Sequence, residues 1–153
     1  MIFSRPRFSS QLHDENTFYN DFLQDLRDSE REIIIESPYL TSSRMEKLYA
    51  VFEELVMRGV KIVFITRDPA EHEDEYMRHQ STNEILRSKE LGIKIVLLKG
   101  FHHRKVAIID RNILWEGSLN ILSYSLSLEV MRRIEGKQFA GEMFEFLKLN
   151  NFI

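Results

Sequence analysis

Apolar residues in this chain fall into two alternating patterns: stripes at helical spacing and short unbroken runs. Phe18, Phe22, Leu23 and Leu26 recur at helical spacing within residues 16–27, with Asn16 or Thr17 placed to cap the helix. Glu32-Ile33-Ile34-Ile35-Glu36 follows. It is a β-branched run ended by Ser37-Pro38 and reads as a buried strand. Met45, Leu48, Tyr49, Phe52, Leu55 and Val56 then mark one face of a second helix, opened by Thr41-Ser42-Ser43 and stopped at Gly59. Residues 60–66 predict another strand. Strand, helix and strand in that order predict a right-handed βαβ unit with parallel strands.

Residues 67–80 are polar and acidic, and are expected to form a loop. A shorter helix is predicted over 82–91, ended by Gly92, with a third strand over 93–98. Residues 105–109 and 113–116 read as a hairpin turning at Arg111-Asn112. A further strand is predicted over 128–134. Gly136 breaks it, and 139–149 closes the chain as an amphipathic helix. There is no internal repeat and no low-complexity segment. The pattern predicts an α/β fold with a mixed sheet.

Composition narrows the function classes. At 153 residues the chain is expected to be a single domain over 1–153. A chain of that size buries about 68–70% of its unfolded surface. It has no cysteine, which excludes disulfides and zinc–thiolate sites. No apolar signal-peptide core follows Met1-Ile2-Phe3-Ser4, and the longest apolar runs fall far short of the ~18 residues of a membrane span. A cytoplasmic protein without stable membrane association is therefore expected. The formal net charge of −3 counts against a strongly basic nucleic-acid binder, although charge can segregate between faces.

The chemistry concentrates in residues 101–120. His103 and Lys105 are two apart on a predicted strand and so face one side. Ser118 and Asn120 are also two apart, just beyond the next strand of the hairpin. Neighbouring strands lie within ~5 Å, so imidazole, ammonium, hydroxyl and carboxamide can converge. Such a set suits phosphoryl transfer. An imidazole can attack phosphorus or hand on a proton near neutral pH, while an ammonium and neutral donors stabilise the added negative charge. No carboxylate pair stands beside them in sequence to hold a metal, so neither metal nor cofactor is expected.

His103-x-Lys105, four residues, Asp110, six residues, then Gly117-Ser118-x-Asn120 resembles the HxKxxxxD…GSxN signature of the phospholipase D superfamily at every fixed position. Six fixed positions coincide by chance about once in 10⁷ to 10⁸ starting points. Ser37-Pro38-Tyr39 after the first strand is similar to what the family often places there. The resemblance implies a phospholipase D-like mixed sheet flanked by helices on both faces. It implies His103 as a nucleophile forming a phosphohistidine, Lys105 and Asn120 as phosphate ligands, and Ser118 as their support. Glu129 would orient a histidine, while Asp110 and Gly117 would be structural. Ser37, Tyr39 and Tyr124 are candidates for contact with substrate, Tyr124 and Ser125 being equally consistent with packing beneath the site.

Each of the other chemical residues has a simpler reading. His102 and Arg104 point away from His103 and read as an ordinary histidine and a surface charge. Glu71-His72-Glu73-Asp74-Glu75 with His79 matches no closed metal motif and reads as a solvated acidic loop, a lid over the site being the alternative. Trp115 is expected in the core. Arg5, Arg7 and Lys99 read as scattered charge as readily as a phosphate-backbone patch. Among the family's activities, one motif copy without a membrane segment is most similar to the small bacterial endonucleases, or to nuclease domains within longer helicases and restriction enzymes. The expectation is a homodimeric nuclease acting on DNA or RNA. A phospholipid phosphodiesterase and a non-catalytic nucleic-acid-binding module are the alternatives.

Overall fold

A computed structural model describes residues 7–153. Within them one seven-stranded sheet runs in the order β1-β7-β6-β5-β2-β3-β4. The strands are β1 (Ser9–Asp14), β2 (Glu32–Glu36), β3 (Lys61–Arg67), β4 (Lys94–Leu98), β5 (Val106–Ile109), β6 (Ile113–Gly117) and β7 (Val130–Glu135). The helices are α1 (Phe18–Arg27), α2 (Ser42–Met57), α3 (Glu75–Glu90) and α4 (Lys137–Phe146). β2, β3 and β4 are parallel, whereas β5, β6, β7 and β1 continue antiparallel from β2. The sheet is therefore mixed, as the sequence pattern predicts.

The triple isoleucine explains why β2 is central. Alternate side chains of a strand point to opposite faces, so an unbroken apolar run needs cover on both. Ile33 and Ile35 pack with Phe18, Phe22, Leu48 and Phe52 of α1 and α2, and Ile34 packs with Ala140 and Phe144 of α4. Trp115 is fully buried, and its indole N–H donates to Asp25 at 2.8 Å. Arg133 grips the same carboxylate through Nε and Nη2, fixing α1 to β7.

Four elements differ from the pattern read in the sequence. The acidic stretch is no continuous loop: after a short 3₁₀ turn at Pro69–Glu71, α3 begins at Glu75, and Asp74 caps it by accepting the Tyr76 amide at 2.9 Å. The helix read over 82–91 is thus its second half; residues 75–80 carry no buried side chain to reveal the first turns, and the buried face beyond them is Ser81, Glu84, Ile85 and Ser88. Ser88 donates to the Glu84 carbonyl and Tyr49 donates to the Glu84 carboxylate, which satisfies these groups inside the protein. β1 likewise gave no signal, because His13 is its one buried residue. The hairpin turns at Asp110-Arg111, one residue earlier than predicted, with both residues at positive φ and the Asn112 amide donating to Ile109. Lys148, also at positive φ, separates α4 from a final 3₁₀ turn where one helix over 139–149 was expected.

Candidate active site

The segment 101–105 enters β5 irregularly, so His103 and Lys105 precede the strand instead of lying in it. They meet nonetheless. Lys105 is buried, and its Nζ lies 2.7 Å from His103 Nδ1 and 2.7 Å from the His103 carbonyl oxygen. Both residues line an open pocket of about 1000 Å³ with Ser118, Asn120 and Glu129. The five residues implied as catalytic by the resemblance thus share one cavity.

The β6–β7 junction sets the far wall. The Ser118 amide donates to the Val130 carbonyl at 2.9 Å, and the Val130 amide donates to the Ser118 hydroxyl at 3.0 Å. That hydroxyl in turn donates to Glu129, whose second oxygen accepts from Ser127 at 2.6 Å. The Glu129 carboxylate is therefore engaged by two serines, and among the described residues it makes no hydrogen bond to His103. Gly117 permits this closeness: a Cβ there would stand 2.2 Å from the Val130 carbonyl oxygen. The Asn120 side-chain oxygen is buried and has no hydrogen-bond partner among the described residues.

Burial and the adjacent Lys105 and Arg67 charges hold His103 below its ordinary pKa. Burial also lowers Lys105, with Glu129 pulling it back up. Behind them lies a second charged group. Glu36 is 1% exposed; it accepts from Arg104 Nε at 2.7 Å, and His102 Nε2 lies 3.2 Å from the same oxygen. Burial raises Glu36 against the pull of Arg104. Burial and the Arg104, His103 and Lys105 charges push His102 down to about 4. Arg104 is an exposed charge, as read, but it does not face away: it lines the His103 pocket and neutralises a buried carboxylate.

The remaining sequence candidates occupy different places. Ser37 is fully buried and accepts the Leu122 amide at 3.3 Å, and it does not line the pocket. The Tyr39 ring stands 6.5 Å from His103, edge to face, and 5.0 Å from the buried His72. Tyr124 is half-exposed on a neighbouring pocket. Asp110 lies away from the site, accepting the amides of Glu30, Arg31 and Glu32 at 2.8–2.9 Å. Arg7 and Lys99 are exposed, and Arg5 falls outside the described residues. Sequence reasoning passed over Glu36 and Arg44. Both stand where an apolar residue would continue a buried run, and that interruption was the available signal.

The family described as "Cardiolipin synthase, PLD-like domain" matches residues 22–148, and the chain belongs to it and thereby to the phospholipase D superfamily. Cardiolipin synthase A of Pseudomonas aeruginosa is 29% identical over 125 residues, covering 80% of this chain and 25% of that protein. The chain thus spans about a quarter of the length of the curated relatives it matches. The fold is similar to that of NucT from Helicobacter pylori, with a TM-score of 0.75, 20% identity and coverage of 95% of this chain and 97% of that one. It is also similar to Nuc, a phospholipase D family member from Salmonella typhimurium, with a TM-score of 0.72, 18% identity and coverage of 92% of each chain. Among the described residues no helix is long and apolar enough to cross a membrane.

Proposed function

We propose that this chain is a metal-independent phosphodiesterase that hydrolyses nucleic acid, DNA foremost, through a phosphohistidine intermediate at a site completed by two subunits. The observation that carries this reading is the imidazole of His103 held beside the Lys105 ammonium in a pocket that Ser118 and Asn120 also line. The neutral imidazole attacks phosphorus, the bond to the leaving oxygen breaks, and a second imidazole protonates that oxygen. Water activated by the second imidazole then cleaves the phosphorus–nitrogen bond and regenerates His103. Lys105 and the Asn120 amide hold the phosphoryl oxygens as negative charge accumulates. Ser118 and Glu129 form the wall beside them, and in this reading Glu129 orients a histidine of a partner subunit.

The nucleic-acid reading draws its support from the likeness of the fold to NucT and Nuc, of which the chain covers 97% and 92%. The lipid reading draws its support from the family description itself. One set of assays separates them: purified protein on single- and double-stranded DNA, on RNA and on a fluorescent phospholipid, each with and without EDTA. Cleavage of nucleic acid that survives EDTA is expected. Turnover of the phospholipid alone overturns the substrate, and loss with EDTA reversed by magnesium overturns the mechanism. A third reading, a non-catalytic nucleic-acid-binding module, corresponds to tight binding with no turnover.

A further inference from the structure

A second pocket, of about 410 Å³, opens beside the first and shares Asn120 and Glu129 with it as a common wall. Arg44, from the first turn of α2, lines it while being only 9% exposed. Its guanidinium carbon lies 3.2 Å over the Tyr19 ring and 5.4 Å from the centre of the Tyr124 ring. Arg44 makes no ion pair or hydrogen bond among the described residues, and its Nε is buried without a partner. The Tyr19 hydroxyl offers no help, since it donates to the Ile121 carbonyl. A buried guanidinium with unused donors is costly, and ring faces offset only part of that cost.

The other charged groups in the pocket define what it would hold. Glu15 accepts the Glu129 amide at 2.9 Å, and Glu129 accepts from Ser118 and Ser127. Two carboxylates against one guanidinium leave the lining net negative, which disfavours a second phosphate. A neutral planar ligand suits it better: one edge would accept from Arg44, another would donate to a carboxylate, and one face would stack on Tyr124, which is 49% exposed. A nucleobase has all three properties.

We infer that this pocket takes a nucleobase next to the scissile phosphate, an assignment that rests on the nucleic-acid reading of the His103 site. A base seated there has left its stack and its pair, so the substrate is single-stranded at that nucleotide. Arg44 and Tyr124 are then specificity residues, and the shared Asn120–Glu129 wall sets the step from base to reacting phosphorus.

The test uses Tyr124→Ala, Tyr124→Phe and Arg44→Gln in the full chain. Substrates are a short single-stranded DNA, the same strand with every base replaced by an abasic tetrahydrofuran, and the corresponding duplex. Bis(p-nitrophenyl) phosphate, given to the wild type alone, reports whether the site cleaves diesters at all. Tyr124→Ala is expected to raise KM for the single strand about tenfold, the loss of one stacked base, while Tyr124→Phe keeps the wild-type KM. On the abasic strand the gap between wild type and Tyr124→Ala closes, and the wild type prefers the single strand to the duplex. Arg44→Gln is expected to raise KM in the same way, and a misfolded Arg44→Gln leaves the decision to the Tyr124 pair. Diester hydrolysis with an unchanged KM in Tyr124→Ala, or an equal loss on intact and abasic strands, overturns the pocket and leaves the nuclease reading standing. Equal KM for single strand and duplex overturns it as well. If the wild type cleaves neither DNA nor the simple diester, the nuclease reading fails and the pocket with it. If Tyr124→Ala changes the sedimentation coefficient, the pocket belongs to a subunit contact and the inference is wrong.

Discussion

Lys105 Nζ stands 2.7 Å from Nδ1 of His103, close enough that the ammonium acts on the protonation of the ring. An ammonium offers only protons, so the ring nitrogen it faces acts as acceptor. Protonating the ring would set two positive charges side by side, which acts with burial to hold His103 below its ordinary value. The pair therefore favours the neutral imidazole, and attack on phosphorus follows when Lys105 turns to the phosphoryl oxygens and frees that nitrogen's lone pair.

A pH dependence follows. A nucleophile whose pKa is depressed stays unprotonated to lower pH, so the acid limb of kcat/KM is expected below the ordinary histidine value of about 6.5. Lys105→Met removes one of the two main depressing influences and should move that limb upward while lowering the rate about 10²- to 10³-fold. His103→Ala should lose at least that much with its Tm unchanged. An acid limb at or above 6.5 in the wild type, or wild-type turnover by folded His103→Ala, would rule the assignment out.

Gly117 allows β6 and β7 to close. A methyl group there meets the Val130 carbonyl oxygen at 2.2 Å and the Met131 Cα at 2.9 Å, both backbone atoms that cannot swing aside. Gly117→Ala is expected to destabilise the fold by about 1–3 kcal/mol, read as a lower urea midpoint. It should also reduce activity in the fraction that folds, because the same closure holds Ser118 against Glu129. A neutral substitution would mean that the two strands slide apart freely.

Asp110 should show the reverse balance. Its carboxylate accepts three consecutive amides, from Glu30, Arg31 and Glu32, and so ties the β5–β6 turn to the start of β2. Asp110→Ala loses those bonds and places alanine at φ +52, at a cost of about 2–4 kcal/mol. Asp110→Asn keeps the tolerance of positive φ and should recover part of it. Thermal melts should fall in that order, with kcat retained wherever the protein is folded. A selective loss of kcat would make Asp110 part of the reaction.

Legibility in the sequence followed the chemistry of burial. β2 and α2 were readable because their buried positions are apolar: Ile33, Ile34 and Ile35 in one, Leu48, Phe52 and Leu55 in the other. The first turns of α3, over 75–80, were not, because none of their residues is buried and no apolar stripe marks them. β1 borrows its order from β7 and carries almost no buried surface of its own. The candidate site divides in the same way. His103, Lys105, Ser118 and Asn120 are close in sequence along one hairpin, so spacing alone brought them together. Glu36 and Arg44 reach the site region from other elements, and no local spacing links them to it.

Displacement through a phosphohistidine needs a second proton-handling group for the leaving oxygen. Among the described residues His103 is the one histidine lining its pocket. His13 packs against Trp115, His72 against Tyr39, His102 against Glu36, and His79 sits exposed beside Asn83. The Glu129 carboxylate does not reach His103 within the chain. Exposed Leu12, Val130 and Phe146 border the same pocket and give a second copy an apolar surface to cover. A two-fold interface would bring the two His103 imidazoles to one phosphate, with the interface built from the motif hairpin and its flanks. Sedimentation at micromolar concentration is expected to show a dimer, and a stable one commonly buries more than about 2,000 Å². Mixing decides the point. Equal amounts of wild type and His103→Ala, unfolded and refolded together, should give about one quarter of the all-wild-type activity, because a two-fold site needs both histidines and only wild-type pairs carry them. Activity at about one half, in proportion to the wild-type chains, would show that each subunit works alone.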